Sequence, residues 1–215
     1  MSELGEGNGG SPLTDLGEIQ KGASLARGPR MSYLDLLSSD TLFHGLCAID
    51  RELASRTRAG GCPNCGKALH AAHYERKPRG ACCDALPPKC RVRLGLCCGT
   101  CRSRVLPPSV LYMGRRVYWG AVVLLVTAAA QGLQRCTINE LCERFGVSRR
   151  TVKRWVLFFL VSFPRGDAWR RLRGHVSASV TNHLLPRGFL EWLFGERKCT
   201  ETALTDALRL IACGP

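Results

Sequence analysis

The sequence is short of acidic residues, and the shortage is confined to one part of the chain. Residues 1–60 carry six Lys/Arg and eight Asp/Glu, whereas residues 61–215 carry 25 Lys/Arg and only nine Asp/Glu. Such an excess of positive charge on one part indicates a polyanionic partner, either nucleic acid or an anionic membrane face. The plainer alternative is a basic, well-solvated surface without such a partner.

Long hydrophobic runs are also lacking. The longest, Val117 to Ala130, has 14 residues, fewer than the roughly 20 that a transmembrane helix needs, and it predicts a buried core helix. The start of the chain has no basic stretch followed by an apolar one, so no secretory signal is expected. With no membrane involvement expected, double-stranded DNA becomes the favoured partner, and the expected location is cytoplasmic and nucleoid-associated.

Catalytic groupings are a third absence. The acidic residues of the last 50 positions are well separated and lie on predicted amphipathic helices, which does not fit a carboxylate set for nuclease or strand-transfer chemistry. The Cys and His residues show no nucleophile motif. We therefore expect a protein that is not an enzyme and has no small-molecule substrate.

Cysteine, by contrast, is abundant, with 13 residues. In a reducing compartment, clustered cysteines bind metal more often than they form disulfides. Cys62 and Cys65 lie two residues apart in "CPNC", and Cys98 and Cys101 repeat that spacing in "CGTC". Two such turns supply four thiolates to one tetrahedral ion. The predicted cofactor is one structural zinc ion held by Cys62, Cys65, Cys98 and Cys101.

The neighbouring Cys97 leaves an alternative open for the third ligand. Strand alternation points Cys97 away from the side of Leu96, and its spacing to Cys101 is one residue too long for the same turn, which favours Cys98. More remote substitutes are Cys82, Cys83, Cys90, His70 and His73.

Residues 137–155, "TINELCERFGVSRRTVKRW", predict two helices joined by a tight turn. Thr137 and Glu140 form a capping-box pattern at the start of the first helix. Gly146 ends that helix in a left-handed conformation, and Ser148 caps the second. This pattern is typical of a helix-turn-helix.

The second helix has an apolar face and a basic face when drawn at 100° per residue. A basic face near the N-terminal half is what a recognition helix needs to reach base edges and phosphates in the major groove. The alternative is an ordinary helical hairpin with a solvated basic face. The predicted DNA-binding residues are Ser148, Arg149, Arg150, Lys153 and Arg154, with Arg115 and Arg116 at the start of a supporting helix.

The apolar stretch 156–163 that follows the basic residues is expected to be covered by the C-terminal helices or by a second copy of the chain.

The predicted fold is mainly α with a small β zinc ribbon, followed by a tri-helical helix-turn-helix module and C-terminal helices. Strands are expected within 67–77 and 90–98. Helices are expected near 115–131, 137–145, 148–162, 167–179, 186–194 and 199–212. The predicted divisions are a disordered tail over 1–30 (with Met31 as an alternative start), a helical segment over 31–59, a zinc ribbon over 60–108, a helix-turn-helix module over 112–163 and a C-terminal helical segment over 164–215.

Three stretches together resemble a known family. "CPNCGKALHAAHYERKPRG", "CCGTCRSRVLPPSVLYMGRRVYWGAVVLLV" and "LCERFGVSRRTVKRW" are similar to small bacterial proteins associated with insertion sequences, which carry a transposase-type zinc ribbon and a helix-turn-helix. The resemblance spans about residues 60 to 210. It implies that the four cysteines named above are the zinc ligands and that the helix at 148–160 reads DNA. Transposases themselves add an acidic catalytic core, which this chain lacks.

These observations lead us to expect a non-catalytic, sequence-specific DNA-binding protein that is an accessory or regulatory factor of a transposable element. One alternative is an ordinary transcription regulator. Another is an interaction module that docks a transposase or polymerase. The expected protein partners are a second copy of the chain or a transposase.

Overall fold

The structure, a computed structural model, describes residues 32–76, 78–80, 88–113 and 118–215. Several predictions fall on other residues and lie outside this range. They are the tail over 1–30, the alternative start at Met31, the substitute ligands Cys82 and Cys83, and the DNA contacts Arg115 and Arg116.

The described part of the chain is mostly helical. Its α-helices are α1 (Asp40–Ala59), α2 (Gly120–Ala130), α3 (Ile138–Phe145), α4 (Arg149–Leu157), α5 (Asp167–Leu172), α6 (Arg187–Glu196) and α7 (Thr200–Cys213). Short 3₁₀ helices cover Tyr33–Ser38, Pro88–Arg91, Phe163–Arg165, Arg173–His175 and Asn182–Leu184. Each helix expected from the sequence is found at least in part, but the one expected near 167–179 ends at Leu172 and is followed only by the 3₁₀ turn Arg173–His175.

Short strands form three small antiparallel sheets in the described residues. The strands are β1 (Leu69–Ala71), β2 (Tyr74–Glu75), β3 (Val92–Arg93), β4 (Leu96–Cys98), β5 (Arg104–Val105), β6 (Tyr112–Met113) and β7 (Tyr118–Trp119). The largest sheet has the order β1-β4-β5, while β2 pairs with β3 and β6 with β7. In the first sheet Leu69 lies opposite Cys98, and Leu96 lies opposite Val105.

The two segments expected to be strands, 67–77 and 90–98, are each broken in the middle. The break lies at Gly95, whose carbonyl accepts a hydrogen bond from the Ala72 amide and whose amide and carbonyl both contact Nδ1 of His73. A Cβ at Gly95 would come within 2.8 Å of the Ala72 carbonyl oxygen. This close approach separates the β1-β4-β5 sheet from the β2-β3 pair, and the alternation of Val92, Leu94 and Leu96 does not reveal it.

The predicted helix over 115–131 begins later than expected. Tyr118 and Trp119 form β7, and the chain turns into α2 only at Gly120, whose amide donates to the Leu111 carbonyl. There is no room for a side chain at that point, because a Cβ at Gly120 would meet the Val110 carbonyl oxygen at 2.8 Å. The turn into α2 therefore depends on a glycine.

The main core surrounds α2, whose residues from Gly120 to Ala129 are all buried. This confirms the prediction of a buried core helix. Helix α2 packs against α3, α4, α6 and α7. No helix in the described ranges combines the length and apolarity needed to cross a bilayer.

A second, much smaller core lies under the β1-β4-β5 sheet. It consists of Cys62, Leu69, Leu96 and Cys98, with Val105 packed against it. So few apolar side chains bury little surface, and a segment of this size normally needs a disulfide or metal to hold its fold. This small core adjoins the cysteine cluster described next.

Candidate metal centre and nucleic-acid interface

Four cysteine thiols converge at one end of the β1-β4-β5 sheet. The Sγ atoms of Cys62, Cys65, Cys98 and Cys101 all lie within 4.8 Å of one another. The Cys62–Cys101 and Cys65–Cys98 sulfur pairs are each 3.5 Å apart. Ligands at 2.3 Å around a tetrahedral zinc ion would be about 3.8 Å apart. The cluster can hold a metal ion with little rearrangement.

The first cysteine turn is closed by backbone hydrogen bonds. The amide of Gly66 donates to the Cys62 carbonyl (2.8 Å), and the amide of Cys62 donates to the Lys67 carbonyl (2.9 Å). These bonds hold Cys62 and Cys65 in one tight turn, with both sulfurs in the four-cysteine cluster. The turn is linked to the second one by Asn64, whose side-chain amide donates to the Ser103 hydroxyl at 2.6 Å.

The second turn repeats the first, bond for bond. The amide of Arg102 donates to the Cys98 carbonyl (3.2 Å), and the amide of Cys98 donates to the Ser103 carbonyl (2.9 Å). Arg102 therefore occupies the position that Gly66 has in the first turn. Both residues are left-handed, with φ of 61° for Arg102 and 69° for Gly66. A side chain in this conformation is strained, whereas glycine is not.

This strain predicts that Arg102→Gly tightens metal binding. The substitution relieves the strain of the left-handed conformation, but glycine loses more conformational entropy than arginine when the turn becomes ordered. The net gain should be about 1 kcal/mol, which corresponds to about fivefold in zinc affinity. Competition with a zinc chelator measures the change. The matched variant Gly66→Ala should weaken binding through strain alone, because a Cβ there meets no atom within 4 Å. An equal or weaker affinity in Arg102→Gly would contradict this reading of the turn.

Hydrogen bonds in the cluster favour the thiolate form of two cysteines. The Ser103 hydroxyl and amide and the Cys62 thiol lower the pKa of the Cys101 thiol to about 6. The amides of Cys101 and Thr100 lower the pKa of the Cys98 thiol, although burial opposes them. For Cys65, the Lys67 amide lowers the pKa, but the neighbouring thiols and burial outweigh it and raise the pKa to about 12. Metal binding must therefore displace a proton from Cys65, so affinity should fall as the pH falls.

The alternative ligands lie elsewhere. Cys97 belongs to β4 and is half-buried, and its thiol contacts the carbonyls of Cys98 and Arg102 rather than the sulfur cluster. Cys90 is fully buried in the main core. His73 is engaged with Gly95, and His70 is exposed opposite Cys97. None of these four belongs to the cluster found among the described residues.

The second candidate site is the pair of helices α3 and α4. The Thr137 amide donates to the Glu140 carboxylate, and the Glu140 amide donates to the Thr137 hydroxyl, so the predicted capping box is present. Gly146 ends α3 with φ of 58°. Ser148 caps α4 by accepting from the Thr151 amide at 3.2 Å. Each local signal read from the sequence is found at its expected residue.

The basic face of α4 is exposed to solvent. Arg149, Arg150, Lys153 and Arg154 are all exposed, and among the described residues none of them forms an ion pair. The opposite face is anchored, because Val152 is fully buried and Trp155 packs edge-on against Tyr118 at 5.0 Å. The helix thus presents four exposed cations on a fixed support.

The apolar stretch after α4 is only half covered. Residues Phe158–Ser162 form a π-helical turn. Phe159 and Phe163 are buried, and Phe163 lies 5.8 Å from the Trp169 ring of α5. Leu157, Phe158 and Val161 remain 60%, 41% and 39% exposed. The C-terminal helices therefore do not cover the whole stretch, and these three side chains form an apolar patch beside the basic face.

The sequence did not reveal the roles of Arg102, Asn64 and Ser103 at the cysteine cluster. Arg102 carries no turn signal, since arginine is not a residue expected at positive φ. The sequence contained one clue to the left-handed conformation of Arg102. Arg102 follows Cys98 by four residues, as Gly66 follows Cys62.

The chain matches no protein-family model, no curated protein and no solved structure. Its function is therefore inferred from its own residues and geometry.

Proposed function

We propose that this chain is a non-catalytic, sequence-specific DNA-binding protein in which α4 enters the major groove. The observation that supports this most strongly is the set of four exposed cations on α4, which have no acidic partner in the described structure. An exposed face of this kind attracts phosphates, and arginines near the helix N-terminus can reach base edges. In this proposal α2 and α3 form the support, and the three helices act as a helix-turn-helix module.

We further propose that the four-cysteine cluster holds one zinc ion in a zinc ribbon. An all-sulfur, four-ligand set suits Zn²⁺ and leaves no open position for substrate or water. The ion would therefore be structural, holding together a sheet whose own core is very small. Cys62, Cys65, Cys98 and Cys101 would be its ligands.

The proposed biological role is an accessory or regulatory factor of a transposable element, which binds element ends or its own promoter. The resemblance to insertion-sequence-associated proteins supports this role, as does the absence from the sequence of an acidic catalytic set. An ordinary transcription regulator would use the same helix in the same way. The identity of the bound DNA distinguishes the two roles.

The apolar patch favours a second candidate function, which is docking of a protein partner. Leu157 is exposed at the end of α4, and Phe158 and Val161 are exposed on the turn that continues the helix. Exposed apolar side chains that lie together often mark interaction surfaces. A transposase, a polymerase or a second copy of the chain would be the partner. This surface adjoins the basic face, so docking and DNA binding need not exclude each other.

Salt dependence of DNA binding tests the main proposal. If α4 neutralises up to four phosphates, the logarithm of the association constant should fall with the logarithm of salt with a slope of about −3 to −4. Fluorescence anisotropy of a labelled duplex with the zinc-loaded chain, from low to physiological salt, gives that slope. Weak binding that is insensitive to salt would argue against DNA as the partner and favour the docking function.

A further inference from the structure

A cavity of about 470 Å³ lies between α1 and the sheet that carries the cysteine cluster. One wall is helix α1, and the other is formed by β1 and the β3–β4 segment. The volume falls in the range of about 300–1,000 Å³ that is typical of small-molecule sites. The cavity is separate from both sites described above, since neither the four clustered cysteines nor the basic residues of α4 line it.

The interior of the cavity is apolar. Ala54 of α1 faces side chains from the sheet segment, among them Val92, Leu94 and Leu96, with Leu111 contributing from the entry to β6. Leu96 and Leu111 are almost fully buried. This lining suits a hydrocarbon or aromatic body.

Three cations also line the cavity. The Nε of Arg58 donates a hydrogen bond to the Leu69 carbonyl at 3.1 Å. The Nε of Arg51 donates to the Cys47 carbonyl, one turn earlier in α1, at 3.3 Å. In the described residues, the terminal nitrogens of these two guanidinium groups have no acceptor. The ammonium of Lys89 lies 3.3 Å from Nδ1 of His44. None of the three cations forms an ion pair within the described structure.

The acidic residue of this lining does not neutralise them. The Asp50 carboxylate is buried and already accepts hydrogen bonds from the Ser109 hydroxyl and from the amides of Val110 and Leu111. Its oxygens are therefore occupied in holding α1 to the segment before β6. Among the described residues that line the cavity, the charged groups left to meet a ligand are therefore cationic.

We propose that this cavity binds a small organic monoanion with an apolar body, of the class of medium-chain carboxylates. The carboxylate accepts hydrogen bonds from Arg58, with Arg51 and Lys89 adding positive charge, while the hydrocarbon chain lies against the leucines. Charge-assisted bonds to guanidinium groups orient such an anion strongly. Because the cavity lies between the main core and the small core, an occupant stabilises their junction.

Calorimetric titration of the zinc-loaded full chain with octanoate tests the proposal, without any DNA present. Saturable binding of one octanoate per chain is expected, and 1-octanol, which has the same chain without the charge, should bind at least about tenfold more weakly. Absence of saturable octanoate binding, or equal affinity for the alcohol, would overturn the proposal.

Variants on α1 locate the site. Arg58→Gln should weaken octanoate binding about tenfold or more, because a charge-assisted hydrogen bond is lost. Ala54→Phe should abolish it by filling the cavity, with circular dichroism showing that the helices persist. The control is Arg56→Gln, since Arg56 pairs with Glu52 on the same helix and does not line the cavity. Unchanged octanoate affinity in Arg58→Gln would show that the anion binds elsewhere.

Discussion

Cys98→Ser is expected to abolish zinc binding, whereas Cys97→Ser should leave it intact. The Sγ of Cys98 lies 3.5 Å from that of Cys65 and inside the four-sulfur cluster, while the Cys97 thiol points to backbone carbonyls outside it. Serine does not replace a thiolate ligand. The zinc content of purified protein should fall from one ion per chain towards zero in Cys98→Ser only.

Loss of the metal should unfold the sheet but not the helices. The small core consists of Cys62, Leu69, Leu96 and Cys98, with Val105 packed against it, so we expect it to be too small to hold the β1-β4-β5 sheet without the proposed ion. The main core around α2 contains none of the four clustered cysteines. Amide hydrogen exchange should therefore become fast across β1, β4 and β5 and stay slow in α2.

The adjacent cysteine provides the control for this experiment. Cys97→Ser differs from Cys98→Ser by one position in the same strand, so a general effect of serine in β4 would appear in both variants. Zinc loss in Cys97→Ser with retention in Cys98→Ser would reverse the ligand assignment. Slow exchange in the sheet of a zinc-free protein would show that the metal is not structural.

The second large effect is expected on the basic face of α4. Removing both charges in Arg150→Ala/Lys153→Ala should weaken duplex binding by about 1–3 kcal/mol for each residue that makes a close contact, and should reduce the salt slope by about two. The melting temperature should hardly change, because both side chains are exposed and form no ion pair in the described structure. Anisotropy and thermal unfolding on the same samples measure both quantities.

Two comparison variants sharpen this test. Arg209→Ala removes an exposed charge on α7, away from α4 in sequence, and should leave DNA binding unchanged. Leu141→Ala in α3 opens a cavity at a side chain that is 1% exposed and should lower the free energy of unfolding by about 2–5 kcal/mol. A stability loss in Arg150→Ala/Lys153→Ala like that of Leu141→Ala would place these two residues in the packed face and contradict the proposal.

Local signals in the sequence predicted the helical part well. The capping box at Thr137, the left-handed Gly146 and the cap at Ser148 depend on residues within four positions of one another, so their physics is visible in the sequence. The spacing of the cysteine pairs likewise predicted the sulfur cluster. Cys65 and Cys98 are 33 residues apart in the sequence, so their approach depends on the tertiary fold. It was predictable because both cysteine pairs have the same local spacing.

Features set by tertiary contacts were predicted less well. The break at Gly95 depends on contacts with Ala72 and His73, more than 20 residues away, and the alternation of apolar residues does not encode it. The late start of α2 depends on the pairing of β7 with β6. The exposure of Leu157 depends on how far the C-terminal helices extend over the apolar stretch, which periodicity alone does not give.

Sequence-specific DNA binding is the central claim, and selection of bound fragments tests it most directly. Sheared genomic DNA of the source organism is passed over the purified, zinc-loaded chain, and the retained fragments are sequenced. We expect enrichment of a defined sequence, with repeated element ends foremost among the retained fragments. Recovery no greater than that of a shuffled-sequence control would contradict the claim and leave the cations of α4 as a solvated surface.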